Sequence, residues 1–416
     1  MREMKDSGIE WIGEIPATWK IIRGKYLLEY LQKPVKEEDG VITCFRDGEV
    51  TLRSNRREDG FTVSDKEIGY QGIDVGDLVV HGMDGFAGAI GISDSRGKAS
   101  PVLNVLDTRQ NKRYIMYYLR SMAYSDVFVA LATGIRVRSC DLRWNKLADL
   151  PYPIPTLEEQ RKIVEYIDAK CAEIDALTAD VQTQIDTLEQ YKRSIITEAV
   201  TRGLNPDVEM KDSGVFYMAP MNAKWSLTKI GYICTKLSRL FKPEDTALIC
   251  SNSGKVLVRP DDVTGKMVSD DNAMQGIHAG DIAIHGMDTW HGAIALSDYD
   301  GKITRVVHVC DSTEDKRFIV YYLQHLAFQG VYKLISNGVR GNTSDFRSWD
   351  KVRDIWIAIP KNKEEQENIC DYLNRQCKSM EKVIVEKKEQ LEVLDEYKKS
   401  LIYEYVTGKK EVPENA

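Results

Sequence analysis

The sequence predicts an α+β fold in which two similar domains are joined and separated by two long antiparallel coiled-coil helices, with pseudo-twofold internal duplication. Three observations predict it. The second half of the chain restates the first at an offset of 204 to 206 residues. Each half ends in a long stretch without proline or glycine, apolar at every seventh residue. What precedes each stretch mixes strand and helix signals. A period this long does not stack into a solenoid, so it marks a duplicated module.

The repeat is seen segment by segment. MKDSG at Met4 to Gly8 returns at Met210 to Gly214, and Trp19 is answered by Trp225. GDLVVHGMDGFAGAIGISDSRGK from Gly76 returns as GDIAIHGMDTWHGAIALSDYDGK from Gly280, identical at 13 of 23 positions. In the first copy, Gly76 to Val80 and Phe86 to Ser93 are predicted strands with glycine-bearing turns. Ile115, Tyr118, Leu119 and Met122 recur at helical spacing, which predicts a helix after Lys112 and a partner after Lys316. Tyr117, Tyr118, Tyr321 and Tyr322 on these helices are expected in the core. DLPYPIP and WIAIP then mark a boundary, because proline disfavours helix in the residue before it.

The long helices follow. From Glu158 to Thr201 nothing breaks the pattern, and Gly203 and Pro206 stop it. Ile167, Ile174, Val181, Leu188 and Ile195 form the seam, supported by Cys171, Leu177 and Ile185. The second copy offers Leu373, Met380, Leu394 and Leu401 with Ile384 and Leu391, interrupted by Lys387. Seams of this kind pack as coiled coils. Each helix spans roughly 65 Å, longer than a 150-residue domain is wide. The second helix can bury its stripe only by running back along the first. The expected domains are therefore 1–155, a helix over 156–206, 207–360, and a helix with tail over 361–416. By the same symmetry, TGKKEVPENA from Thr407 should lie beside MREMKDSG.

Composition narrows the function classes. At 43% hydrophobic and 29% charged, the chain is folded protein, and no stretch approaches the length of a membrane span. The opening residues do not form a signal peptide. Eight cysteines without a CxxC pair point to reduced thiols in a cytoplasm, with no zinc site. The net charge of −7 resides mostly in the helices: the four segments carry 0, −4, −1 and −2. Net charge thus gives nucleic-acid binding no support, and a basic patch must be local.

Three motifs carry a resemblance across nearly the whole chain. One is the opening KDSG-x-x-W-x-G-x-I-P-x-x-W from Lys5 to Trp19, which the second copy keeps only in part (KDSGVFYMAPMNAKW). Another is the proline-then-EEQ start of each helix, PTLEEQRKIVEYID and PKNKEEQENICDYL. The third is the helix ending, YKRSIITEAVT and YKKSLIYEYVT. In this order they resemble the specificity subunits of type I restriction–modification systems. The resemblance implies two target-recognition domains, each reading half of a split, asymmetric site on double-stranded DNA. It implies helices that set the spacing and dock two methyltransferase subunits, with restriction/translocase subunits beyond. Catalysis and S-adenosylmethionine would belong to those partners. This chain has no Walker loop, no G-x-G-x-x-G after a strand and no adenine-methyltransferase motif, so neither enzyme activity nor a cofactor is expected of it.

Base readout needs side chains that reach base edges, and Arg, Asn, Gln and Ser supply them. In the first domain the candidates are Arg46, Arg53, Arg56 and Arg57, answered by Ser251, Asn252, Lys255 and Arg259. A charge run of this kind is otherwise a solvated face. The glycine loop GIRVRSCDLR adds Arg136, Arg138 and Arg143, and GVRGNTSDFR adds Arg340, Asn342 and Arg347. Its plainer explanation is a helix cap with surface arginines. His81 and Asp84, repeated as His285 and Asp288 in HGMD, supply too few ligands for zinc. They either shape a turn or contact DNA. The main rival to a DNA reader is an enzyme with its own methyltransferase, which would need a cofactor loop that is absent here; the alternative is a coiled-coil protein-interaction scaffold with two homologous heads.

Overall fold

The computed structural model describes residues 2–56, 68–131, 142–260, 273–336 and 345–413. The chain divides into two units, residues 1–182 with 389–416 and residues 183–388. Each therefore takes in a head, part of the helix that follows it and part of the other long helix.

In unit one, a four-stranded antiparallel sheet runs in the order Glu29–Leu31, Leu103–Asp107, Leu78–His81, Ile90–Ile92. Leu78, Val79 and Val80 are all buried, so both faces of the sheet are covered. Their alternation separates two cores. Val79, Leu103 and Val105 pack with Ile42, Cys44, Val50, Ile73 and Ala99 from two hairpin-like pairs. Leu78, Val80 and Leu106 face the helix Lys112–Tyr124. That cover helix begins where expected, because Asn111 accepts hydrogen bonds from the N–H groups of Arg113 and Tyr114. Tyr117 and Tyr118 are core residues, as expected. The second predicted strand starts later than Phe86: Gly85–Ala87 is a 3₁₀ turn closed by left-handed Gly88 (φ 91°), and pairing resumes at Ile90.

The proline stretch is more than a boundary. Pro151–Ile154 is a strand paired with Lys20–Arg23, with Tyr152 wholly buried. Pro151 and Pro153 fall on the same edge of this two-stranded pair, where no N–H is needed.

Unit two has the same element order. Its sheet runs Cys234–Lys236, Val307–Ser312, Ile282–His285, Ile294–Leu296, covered by the helix Lys316–Phe328. Trp356–Ile359 pairs with Ser226–Lys229. Tyr322 is fully buried, whereas Tyr321 is half-buried and hydrogen bonds to Asn374 at 2.7 Å.

The long helices are Leu157–Thr201 and Lys363–Val406, and they fit the coiled-coil description. In unit one Asp175 pairs with Lys398 at 2.6 Å and the rings of Tyr166 and Tyr405 lie 4.7 Å apart, so the two segments run antiparallel. In unit two Lys192 pairs with Glu381, and Lys387, the interruption in the seam, donates to Gln184. Burial along the seam is uneven. Ile167, Cys171 and Ile174 are buried, but Leu177 is 52% exposed and does not belong to the stripe. Val181, Leu188, Leu391 and Leu394 are only half-buried. The deepest burial is where helix ends enter a head: Ile163, Val164, Ile167, Leu401, Ile402, Tyr405 and Val406 are part of the core of unit one. Ile195, Ile196, Ala199, Val200, Ile369 and Leu373 do the same in unit two. The described cysteines are free and buried.

The motifs behind the resemblance form a joint between head and helix. Trp19 donates to Glu159 at 3.0 Å, and Trp225 donates to Glu365 at 2.9 Å. Gln160 and Gln366 are fully buried. Each accepts from the N–H at the start of the cover helix and donates to the carbonyl of Pro155 or Pro360. Lys5 and Lys211 each tie the opening hairpin to two carbonyls of the following turn. The hairpin therefore forms in the second copy despite its missing Trp and Ile-Pro pair. The end of the second long helix lies beside the opening segment, as expected from the sequence: Arg2 donates to the carbonyl of Gly408 at 2.8 Å and Lys409 to that of Glu14 at 2.7 Å.

Candidate nucleic-acid interface

Three segments singled out in the sequence meet at one end of each sheet. In unit one, the strand Leu78–His81 runs into the HGMD turn. The backbone N–H groups of Met83 and Asp84 donate to His81 Nδ1 at 3.2 and 2.9 Å. Burial pushes the His81 pKa below its usual value, which keeps Nδ1 free to accept. His285 repeats this with Met287 and Asp288 at 3.3 and 3.1 Å, and burial lowers its pKa too. The two histidines thus shape turns. Their Nε2 edges are all that remains for a ligand.

The tip of the hairpin Ile42–Cys44/Val50–Leu52 lies against this turn. Arg46 pairs with Asp84 at 2.9 Å while staying 66% exposed. A Cβ on Gly88 would approach the Arg46 carbonyl to 2.8 Å, and one on Gly91 the Gly48 carbonyl to 2.0 Å, so the glycines permit the contact. In unit two the tip is Ser251 to Lys255, with Asn252 exposed at the position of Arg46.

From the other side comes the chain leaving the glycine loop. The N–H of Leu142 donates to the Gly82 carbonyl, and that of Phe346 to the Gly286 carbonyl, both at 2.9 Å. Exposed Arg143 and Arg347 follow directly, and Arg347 Nη2 lies 3.1 Å from Sδ of Met287. Sequence reasoning missed the side chains that clamp this junction. Asn104, buried on the central strand, donates to the Leu142 carbonyl at 2.9 Å. At the same position of the repeat, buried His308 places Nε2 2.7 Å from the Phe346 carbonyl. The signal was a polar residue in the middle of an apolar strand in both copies.

Other candidates lie elsewhere. Arg53 and Arg259 are at the open ends of their hairpins, away from the tips; Arg53 donates to Thr43 at 2.9 Å. Arg56 is folded onto its own hairpin, 4.2 Å above the Phe45 ring and paired with Asp47 and Glu49. Arg57, Arg136, Arg138, Arg340 and Asn342 lie outside the described residues. Among the described residues, no group of three or more His, Cys, Asp or Glu could hold a metal ion, and no helix is long and apolar enough to cross a membrane. Each sheet end thus displays hydrogen-bond donors on a stiff frame: Arg46 and Arg143 in one unit, Asn252 and Arg347 in the other. Such groups suit phosphates and base edges.

No family model matches the chain, and no curated protein does. Among solved structures, a chain from work on complex assembly and conformational transition of the type I R-M system superposes with a TM-score of 0.67 at 14% identity. It covers 95% of this chain and 99% of that one. The HsdS subunit from Thermoanaerobacter tengcongensis gives 0.47 at 14% identity, covering 95% and 98%. The type I restriction–modification S subunit from M. genitalium gives 0.37 at 14% identity, covering 93% and 96%. The resemblance carried by the opening hairpin and the helix ends is met at the level of the fold, which this chain shares with the first of these over nearly its whole length.

Proposed function

We propose that this chain is the DNA-specificity subunit of a type I restriction–modification complex and performs no catalysis itself. Residues 1–155 and 207–360 are its target-recognition domains, two copies of one duplicated module, each reading one half of a bipartite asymmetric site. Residues 156–206 and 361–416 supply the helices that dock two methyltransferase subunits, with restriction/translocase subunits joining the assembly in the cytoplasm. S-adenosylmethionine is bound by those partners.

The observation that carries the reading is the convergence at each sheet end. Hairpin tip, HGMD turn and loop exit are far apart in sequence, and the tip and the loop exit carry the residue types that suit base or phosphate contact. They form one donor-bearing edge per unit, in a fold shared with a type I R-M chain. The test is long-read methylome mapping of cells that express the chain with its methyltransferase partners. Methylated adenines in a split site with two unlike halves are expected. An unmethylated genome, alongside purified complex whose DNA affinity does not fall with salt, would leave a protein scaffold as the better description.

A further inference from the structure

Unit two contains a groove of about 640 Å³ between the hairpin tip (Asn252, Ser253, Lys255), the turn at Trp290 and His291, and stretches of the two long helices. Its charged lining is Lys192, Arg193, Lys255 and Lys388 against Glu189 and Glu381. Glu381 is shared by Lys192 and Lys255 at 2.5 and 2.7 Å, so one carboxylate is neutralised twice over. Arg193 lies over the Phe328 ring at 5.4 Å, a cation–π contact at the groove wall. Lys388 is exposed. The groove is net basic, and its uncharged polar groups, Asn252, Ser253 and His291, can all donate hydrogen bonds.

The same positions in unit one read differently. At an offset of 206, Lys255 is replaced by Glu49, Ser253 by Asp47, Lys388 by Gln182 and Glu189 by Asp395. Lys398 and Lys399 remain, but Lys398 pairs with Asp175 and Lys399 with Asp395, both at 2.6 Å. Asp47 and Glu49 hold Arg56. Arg46 stands where unit two has Asn252 and pairs with Asp84 while staying exposed. With it, these positions carry Arg46, Lys398 and Lys399 against Asp47, Glu49, Asp175 and Asp395, so their sum is slightly acidic where that of unit two is basic.

We propose that the groove of unit two grips the sugar–phosphate backbone of double-stranded DNA without regard to sequence, and that unit one has no equivalent grip. The proposal rests on the reading of the chain as a DNA-specificity subunit. It goes further, because symmetric heads would be expected to share backbone contacts equally. A phosphodiester fits better than an acidic protein segment: the groove opens at the hairpin tip, which also bears the candidate base reader Asn252. Lysine, arginine, asparagine and serine are also the usual phosphate ligands.

The test uses the complex with its methyltransferase subunits and measures DNA affinity across salt concentrations. The double variant Arg193→Gln/Lys388→Gln should flatten the log–log salt slope by up to about 1.8, weakening binding about tenfold at low salt on site-bearing and random duplex alike. The methylated sequence should stay the same. Lys399→Gln in unit one should leave the slope unchanged. In the converse variant, Asp47→Ser/Glu49→Lys should steepen it. An unchanged slope in the double variant, with the unaltered complex binding steeply, overturns the groove alone. If that variant instead loses its methyltransferase subunits on sizing, the groove takes an acidic protein segment and the proposal fails. An unaltered complex whose DNA affinity ignores salt overturns the functional reading as well.

Discussion

Glu159 and Glu365 each accept a hydrogen bond from an indole about 140 residues away in sequence. Losing a charge-assisted hydrogen bond in a half-buried place costs about 1–2 kcal/mol. Trp225→Phe removes this bond together with part of a buried ring, so it should lower stability by at least that much in urea unfolding. A midpoint that did not move would show the bond to be incidental. The EEQ motif was plain in the sequence, but its purpose was not: local periodicity says nothing about a partner in a hairpin so far upstream. His325 is similar. It stands where the first copy has Ser121, is buried, and lies 3.0 Å from the Thr197 hydroxyl. Burial lowers its pKa from 6.5 to about 4. A histidine with a depressed folded pKa adds stability above pH 6.5 and loses it as pH falls through about 4, because the unfolded chain takes up the proton first. The acid-side loss from this residue is as much as about 3 kcal/mol. His325→Ser should flatten the stability profile over that window. An equally steep profile in the variant would assign the loss to other groups.

Among the elements, the long helices were the most legible and the strands least. Heptads and the absence of breakers located Leu157–Thr201 almost to the residue. Spacing alone could not rank the seam, since burial depends on whether a head covers it. Ile174 is 5% exposed and Leu177, one turn on, 52% exposed. Ile174→Asp should cost a few kcal/mol by burying an unpaired charge, while Leu177→Asp should stay within about 0.5 kcal/mol. Thermal melting followed by circular dichroism separates them, and equal shifts would contradict the burial pattern. The strand Pro151–Ile154 hid behind its prolines, which signal breakage locally although an edge position tolerates them. The donor-bearing sheet ends were half legible. Arg46 and Arg143 could be picked by type, but only the fold shows that Arg53 and Arg56 point to other duties.

At the scale of the molecule, unit one completes its core with Leu401, Ile402, Tyr405 and Val406 from the second long helix. A half-chain ending at Asn205 lacks them. Its own Ile195, Ile196, Ala199 and Val200 hold the same positions in the repeat. A second copy can therefore fill the gap, and a twofold dimer is expected on sizing. With methyltransferase subunits, that dimer should modify a palindrome made from the first half-site. The fit is imperfect where Thr197 replaces Tyr403, whose hydroxyl donates to the Trp11 carbonyl, and above all at one core position. Ala199 replaces Tyr405, whose ring packs 4.7 Å from Tyr166, and losing an aromatic ring from a core costs about 3–5 kcal/mol. Ala199→Tyr in the half-chain should raise the melting temperature of the dimer. A monomeric half-chain, or a dimer indifferent to that substitution, would refute this account of the core.

Arg2 touches Gly408, Lys409 touches Glu14, and the Tyr403 hydroxyl donates to the Trp11 carbonyl at 3.1 Å. The residues that open the sequence and those that follow the last helix are bonded neighbours. A short linker from residue 413 to residue 2 would close the backbone into a ring, and the exposed Asn205–Pro206 bond offers a new place to open it. The order in which the two heads are written therefore carries no structural information: a gene encoding the second before the first would specify the same fold.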